Sequence, residues 1–186
     1  MTLDCIPTGQ FHTLGSGYRI HYHEYGKATP GKPTLLFLHG GGPGASGWSN
    51  FHDNAVFLAE HGYHSLVPDC LGFGLSDKPA DIYYHSTIHV ETMRSLLKAK
   101  GISGIAPVGN SLGGGIALHY VMAYPEDVAK LILMAPGGVV DPRKFVGVSP
   151  GLQAMWKWAK ERPDTAEAAE PSFRALIELL VHDPKE

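Results

Sequence analysis

The stretch Val108-Gly109-Asn110-Ser111-Leu112-Gly113-Gly114-Gly115 constrains this chain more than any other. Gly109 to Gly113 reads G-x-S-x-G, the pattern of a sharp strand-to-helix turn that presents a serine. Ile105-Ala106-Pro107-Val108 before it is a short apolar run, as in a buried parallel strand. After it, Leu112, Ile116 and Tyr120 recur every four residues, with Ala117, Val121 and Tyr124 beside them, and Pro125 stops the run. That is helical spacing with a helix-ending signal. Such a turn needs backbone approaches that a Cβ would obstruct, which accounts for the glycines. A serine raised there can meet a substrate carbonyl, and the amide after it lies at a helix start that favours an oxyanion. The pattern alone also fits a glycine-rich loop whose serine caps a helix. The strand before and the helix after favour the nucleophile.

A second glycine stretch supports the same reading. Thr34-Leu35-Leu36-Phe37-Leu38 is continuously apolar, as expected for a strand covered on both faces, and His39-Gly40-Gly41-Gly42-Pro43-Gly44 follows at its carboxyl end. Open α/β sheets place their ligands there. Glycines let backbone N–H groups approach a substrate oxygen, so the Gly41 amide, paired with that of Leu112, is the expected oxyanion donor set. A phosphate loop is excluded, because no G-K-[ST] follows and no further lysine occurs until Lys78. His39 is expected to brace the loop rather than act as a base. Asn50, at the start of a helix predicted over Trp48–Glu60, can reach a ligand beside the glycines or simply cap the helix.

The rest of the chain reads as an α/β protein. Tyr18 to Tyr25 alternates between Gly17 and Gly26, predicting a strand in a hairpin with Phe11–Leu14. His21 and His23 would share one face of that strand, read as solvent-exposed rather than as a metal pair. His64–Pro68 is the next strand. Asp69 and Asp77 in the following loop are expected to bind loop backbone. Thr87 is placed as the cap of a helix ending at Gly101, and Val128–Met134 as a last buried strand. Beyond Pro142 no parallel-strand run occurs. Leu152, Met155, Trp156 and Ala159 fit one amphipathic helix, and Phe173, Leu176, Ile177 and Leu180 a second. The expected division is therefore residues 1–141 as sheet core and 142–186 as the start of a helical lid.

Composition narrows the partners. A length of 186 residues, 44% hydrophobic residues and a net charge of −3 describe one ordinary soluble domain without bias toward nucleic acid or anionic membrane. The start carries neither a basic segment nor an apolar run, so no leader or membrane span is expected and the expected location is the cytoplasm. Cys5 and Cys70 form no metal-type spacing and read as free thiols in a reducing compartment. Eleven histidines are scattered along the chain, and no metal site is expected.

The motifs together carry a resemblance. His39-Gly40-Gly41-Gly42-Pro43-Gly44-Ala45 followed by Gly47-Trp48-Ser49-Asn50, then Gly109-Asn110-Ser111-Leu112-Gly113-Gly114 and Leu131-Ile132-Leu133-Met134-Ala135-Pro136-Gly137-Gly138, closely resembles the meta-cleavage product hydrolases. These are carbon–carbon bond hydrolases of the α/β-hydrolase fold. The resemblance runs from about Tyr18 into the lid. It implies a mostly parallel sheet with helices on both faces, no cofactor, and a small-molecule substrate, a 2-hydroxy-6-oxo-dienoate carboxylate. It also implies a ketonisation followed by attack of Ser111 on the ketone carbonyl. Gly41, Gly42, Asn50 and Asn110 match the family's positions around the dienolate.

One departure follows from chain order. A serine of this kind needs a carboxylate and then a histidine further along. After Ser111 only His119 and His182 occur. His119 lies eight residues along a helix, roughly 12 Å of rise away. His182 has no strand-end loop to aim it. The chain is accordingly expected to be truncated at the C-terminus, with little hydrolase activity as it stands. Its last strand would be an exposed edge prone to pairing, with a homo-oligomer or a complementing chain left open. The alternatives are an esterase or proline iminopeptidase-like serine hydrolase, and a non-catalytic small-molecule-binding remnant.

Overall fold

The computed structural model describes residues 6–42, 44–141 and 143–161, together with 165, 168, 170–172 and 176. It divides into two compact units, one up to Val139 and one from Val140. The first holds a six-stranded sheet in the order β1-β2-β4-β3-β5-β6. The strands are β1 (Gln10–Thr13), β2 (Arg19–Tyr25), β3 (Thr34–Leu38), β4 (Ser65–Pro68), β5 (Ile105–Asn110) and β6 (Ile132–Met134). The helices are α1 (Gly47–Glu60), α2 (Ser86–Ala99) and α3 (Leu112–Ala123). β1, β2 and β4 pair antiparallel. β4, β3, β5 and β6 pair in parallel. The expected hairpin is present, with Phe11 opposite His21.

Strand alternation assigns the two faces. Leu36 and Leu38 point to one side of β3, where they join Met93 and Leu96 of α2 and Ile116 and Tyr120 of α3. Leu35 and Phe37 point to the other, where they join Phe51 and Ala55 of α1. All of Thr34–Leu38 is therefore buried, as its uninterrupted apolar run predicts. The loops after β3, β5 and β6 leave the sheet at the same end, because these strands are parallel and adjacent.

Several expectations are revised. His21 and His23 are buried rather than solvent-facing, at 2% and 4% exposure. One of the four ring nitrogens has a partner that sequence spacing does not show: His21 Nδ1 lies 2.9 Å from Asp69 Oδ2, while His21 Nε2 and His23 Nε2 have no hydrogen-bond partner among the described residues. Their rings meet edge-on, 4.8 Å apart. Thr87 lies inside the first turn of α2, which begins a residue earlier, after an N-cap at His85 that makes no side-chain cap bond. The strand predicted over Val128–Met134 shortens to Ile132–Met134. Val128 makes only an isolated bridge to Ile105, after a 3₁₀ turn at Pro125–Asp127. Ile132 and Met134 are exposed on this strand.

The second unit contains α4 (Arg143–Val146) and α5 (Pro150–Glu161). Met155 and Trp156, placed by spacing on the apolar side of an amphipathic helix, are half-exposed, while Trp158 donates its indole N–H to Ser172 Oγ at 3.1 Å. Of the second predicted lid helix, Leu176 is helical and buried. Phe173, Ile177 and Leu180 lie outside the described residues, as do His182 and Asp183.

Candidate active site

Ser111 sits between the last residue of β5 and the first of α3, exposed, with φ 50° and ψ −111°. That backbone is disfavoured for any residue carrying a Cβ. Neighbouring chain segments hold it there. Its N–H donates to the Met134 carbonyl at 3.0 Å, and its carbonyl accepts from Gly137 at 2.7 Å and Gly115 at 3.1 Å. The end of β6 and the loop after it thus bond both the N–H and the carbonyl of Ser111. A Cβ at Gly109 would overlap the Gly113 carbonyl, and one at Gly113 would overlap the Leu38 carbonyl. Those two glycines permit the contact of turn, helix and β3.

The glycine loop after β3 lies against this turn. The Gly113 N–H donates to the His39 carbonyl at 3.0 Å. Gly41 faces Leu112 so closely that a Cβ on it would lie 3.1 Å from Leu112 Cδ2. Gly40 is lined by Asn110, Asn50 and Ser111. Asn50 Oδ1 accepts from the Gly40 N–H at 3.1 Å and from Asn110 Nδ2 at 3.3 Å. Since a backbone N–H can only donate, the atom facing it must be the Asn50 oxygen, and Asn110 must then offer its nitrogen. The Asn50 NH₂ group keeps donor capacity, having only a long 3.4 Å contact to Ser49 Oγ.

Capping does not occupy Asn50. Ser46 and Ser49 form a reciprocal capping box at the start of α1, with the Ser49 N–H to Ser46 Oγ at 3.0 Å and the Ser46 N–H to Ser49 Oγ at 3.0 Å. Five of the six sequence-predicted residues, Ser111, Gly41, Leu112, Asn50 and Asn110, therefore converge. Gly42 is exposed on the same loop, and no neighbour lies within 4 Å of a Cβ built on it.

Comparison with known proteins adds the family. The model of the alpha/beta hydrolase fold matches residues 33–175. The chain belongs to the α/β-hydrolase family. Among relatives of this α/β-hydrolase, a 2-hydroxy-6-oxononadienedioate/2-hydroxy-6-oxononatrienedioate hydrolase of Paraburkholderia phymatum is 42% identical over 132 residues, covering 71% of this chain and 44% of that protein. A 2-hydroxy-6-oxo-6-phenylhexa-2,4-dienoate hydrolase of Burkholderia cepacia is 37% identical over 177 residues, covering 93% of this chain and 57% of that protein. The solved structure of the 2-hydroxy-6-oxo-6-phenylhexa-2,4-dienoate hydrolase from Rhodococcus sp. strain RHA1 superposes with a TM-score of 0.73 at 29% identity, over 91% of this chain and 57% of that one. The chain spans about half the length of the curated relatives it matches.

The remaining histidines near this α/β-hydrolase site have structural partners. His119 Nδ1 lies 2.8 Å from the Gly115 carbonyl, one turn back on its own helix. His39 is fully buried, with Nδ1 at 2.7 Å from the Gly40 carbonyl and Nε2 accepting the Cys70 N–H at 2.9 Å. This fixes the Nδ1–H tautomer, and burial holds the imidazole below its ordinary pKa. Among the described residues no side chain hydrogen-bonds the Ser111 hydroxyl, and no three His, Cys, Asp or Glu side chains converge as a metal ion would require. No described helix is long and apolar enough to cross a membrane. Sequence reading quoted Gly40 and Ala135–Gly138 within its motifs but gave neither a role at the site. The available signal was the second positive-φ residue after a strand, Ala135 at φ 42°, but that is a property of the fold and has no sequence pattern.

Proposed function

We propose that this chain carries the nucleophile and oxyanion loops of a carbon–carbon bond hydrolase acting on 2-hydroxy-6-oxo-dienoates. Ser111 is the nucleophile, and the N–H groups of Gly41 and Leu112 receive the oxyanion. Asn50 and Asn110, with the Gly42 amide, hold the dienoate carboxylate and its 2-oxygen. The observation that carries this reading is the strained, exposed Ser111 beside a glycine loop whose neighbouring Asn50 keeps donor capacity. Relatives named for dienoate hydrolysis supply the substrate class.

The chemistry has two stages. The 2-hydroxydienoate first takes a proton at carbon 5 and loses one from its hydroxyl, giving a 2,6-dioxo-enoate. Donors around the carboxylate and the 2-oxygen stabilise the charge that spreads between them. Ser111 Oγ then bonds to carbon 6, its proton passing to a base, and the former carbonyl oxygen becomes the oxyanion. Collapse breaks the bond between carbons 5 and 6, leaving an acyl-serine and a dienolate fragment that takes up a proton to become the dienol. Water releases the acyl group as a carboxylic acid. One oxyanion donor contributes about 100–1000-fold in rate. Among the described residues no side chain hydrogen-bonds the Ser111 hydroxyl as a base would, and His119 Nδ1 faces the carbonyl of Gly115 on its own helix.

The test is equilibrium binding of 2-hydroxy-6-oxo-6-phenylhexa-2,4-dienoate to the purified chain, beside p-nitrophenyl acetate turnover. The dienoate is expected to bind the parent chain and Ser111→Ala alike. Asn50→Ala should weaken binding about tenfold, the equivalent of one lost hydrogen bond of about 1.4 kcal/mol. Ser111-dependent ester turnover without dienoate binding would refute the carbon–carbon reading in favour of an esterase.

A further inference from the structure

The glycine loop is held at both ends by one dipeptide, Asp69-Cys70, at the carboxyl end of β4. At the far end, Asp69 Oδ1 accepts the N–H of Gly47 at 2.7 Å. At the near end, the Cys70 N–H donates to His39 Nε2 at 2.9 Å, and the other ring nitrogen donates to the Gly40 carbonyl at 2.7 Å. Asp69 is itself immobilised. It is 2% exposed, and its Oδ2 accepts from the Leu75 N–H and from His21 Nδ1, each at 2.9 Å. Burial alone would raise this carboxyl. The hydrogen bonds from His21, Leu75 and Gly47 outweigh it and hold the group below its ordinary value, so it is a carboxylate at neutral pH.

Helix stabilisation does not exhaust these contacts. A carboxylate at the first turn of α1 would favour the helix by itself, yet α1 already has its Ser46 capping box. The neighbouring Cys70 amide reaches the opposite end of the loop through His39, which no helix-capping role requires. Between the two anchors lie only Gly41, Gly42, Pro43, Gly44, Ala45 and Ser46. Of these, Gly41 carries the amide assigned to the oxyanion. An anchored loop presents that amide without reorganisation when charge develops.

We infer that Asp69 and His39 are positioning residues that fix the direction of the Gly41 N–H from the two ends of its loop. The inference rests on the assignment of Gly41 in the proposed function. His39 must be neutral with its proton on Nδ1, because a protonated ring offers Cys70 a donor where it needs an acceptor. Asp69→Asn is nearly isosteric but is not equivalent. All three partners are donors, so one of them must face the new NH₂ group.

Amide hydrogen exchange on the 186-residue chain, with Asp69→Asn, His39→Gln and His39→Ala, tests this. Glutamine carries an acceptor where His39 has Nε2, and alanine has none. In Asp69→Asn, exchange at Gly40 and Ala45, which have no bond to residue 69, should rise tenfold or more. Val108 in β5 and Met93 in α2 should keep their parent rates. His39→Ala should release Cys70 and Gly40, and His39→Gln should restore protection at Cys70. Equal acceleration at loop and core amides would overturn the inference, leaving only a general role in stability. So would parent rates at Gly40 and Ala45. If Asp69→Asn does not fold, the glutamine and alanine pair decides alone: rescue by Gln supports the clamp, and identical loop rates in both variants overturn it. Phenylboronic acid, followed by boron NMR, separates this from the proposed function. A tetrahedral adduct that is lost in Ser111→Ala and His39→Ala but kept in His39→Gln supports both. The expected exchange pattern with no adduct on the parent chain supports the clamp and refutes the oxyanion assignment.

Discussion

Acid should destabilise the sheet unit through His89. This residue lies on α2, is 2% exposed, and its Nδ1 has no hydrogen-bond partner among the described residues. Burial, assisted by His39 and His85, pushes its imidazole down to about 4. An unfolded histidine titrates at about 6.5. As pH falls below that value the unfolded chain binds a proton that the folded chain refuses, so stability drops through the window from about 6.5 to about 4. Integrating the linkage between about pH 7 and pH 4.5 gives a loss of about 2.5 kcal/mol from this residue. Burial lowers His23 and His39 as well, so they act in the same direction. Asp69 has the depressed carboxylate pattern: its contribution is present above the ordinary carboxyl range and is lost only as pH falls through its lower folded value. The two windows are therefore separable. Urea unfolding followed by fluorescence of buried Trp48, at pH 7 and pH 4.5, measures the sum. His89→Gln removes the titration at nearly constant polarity, and the other groups cancel in the comparison. The variant should lose about 2.5 kcal/mol less than the parent on acidification. Equal acid losses in the two chains would show that His89 is not buried and uncharged as the packing requires.

Three further outcomes are expected. Ser111→Gly should raise stability by about 1 kcal/mol, because it removes a non-glycine residue from φ 50°, where strain of about 1–3 kcal/mol exceeds the extra backbone entropy of glycine. A lower urea midpoint would contradict this. Gly113→Ala should cost about 3 kcal/mol or more, since its Cβ would overlap the Leu38 backbone rather than a flexible side chain, and soluble yield with the thermal midpoint reports it. Cys70, fully buried with its thiol pushed up to about 12, should resist iodoacetamide in the native chain and react after denaturation, as read by mass spectrometry of its peptide.

The parts of this fold legible in the sequence are those whose cause is local. Ser111 was legible because strand, glycines and helix are contiguous, and Thr34–Leu38 because burial on both faces leaves an uninterrupted apolar run. What escaped depends on partners far along the chain. His21 and His23 carry the alternation of an exposed face, yet Asp69, 48 residues away, supplies the partner that allows His21 inside. Asn50 was ambiguous because an asparagine at a helix start usually caps it. Only the Ser46–Ser49 box shows that the cap is already made and that Asn50 is free to bind Gly40. The Asp69-Cys70 grip on the loop was half legible. Asp69 was expected on loop backbone, but nothing in its neighbourhood indicates that the loop is Gly40–Ser46.

The distribution of backbone strain bears on why a serine occupies position 111. Among the described residues ten glycines have positive φ, and only Ser111 and Ala135 do so with a Cβ. Elsewhere the chain has met this steric demand with the residue that satisfies it most cheaply. The two exceptions are adjacent in space: the Ser111 N–H bonds the carbonyl of Met134 just before Ala135, and the N–H of Gly137, two residues after Ala135, bonds the Ser111 carbonyl. Those hydrogen bonds use backbone atoms alone, so glycine at 111 would keep every one of them. Its hydroxyl makes no hydrogen bond to a side chain among the described residues, and the residue is exposed. Packing and hydrogen bonding therefore give no reason to retain a strained side chain there. Under the proposed function chemistry at the hydroxyl does, and the same argument predicts that the substitution most favourable to folding at this position is the one that would abolish nucleophilic attack.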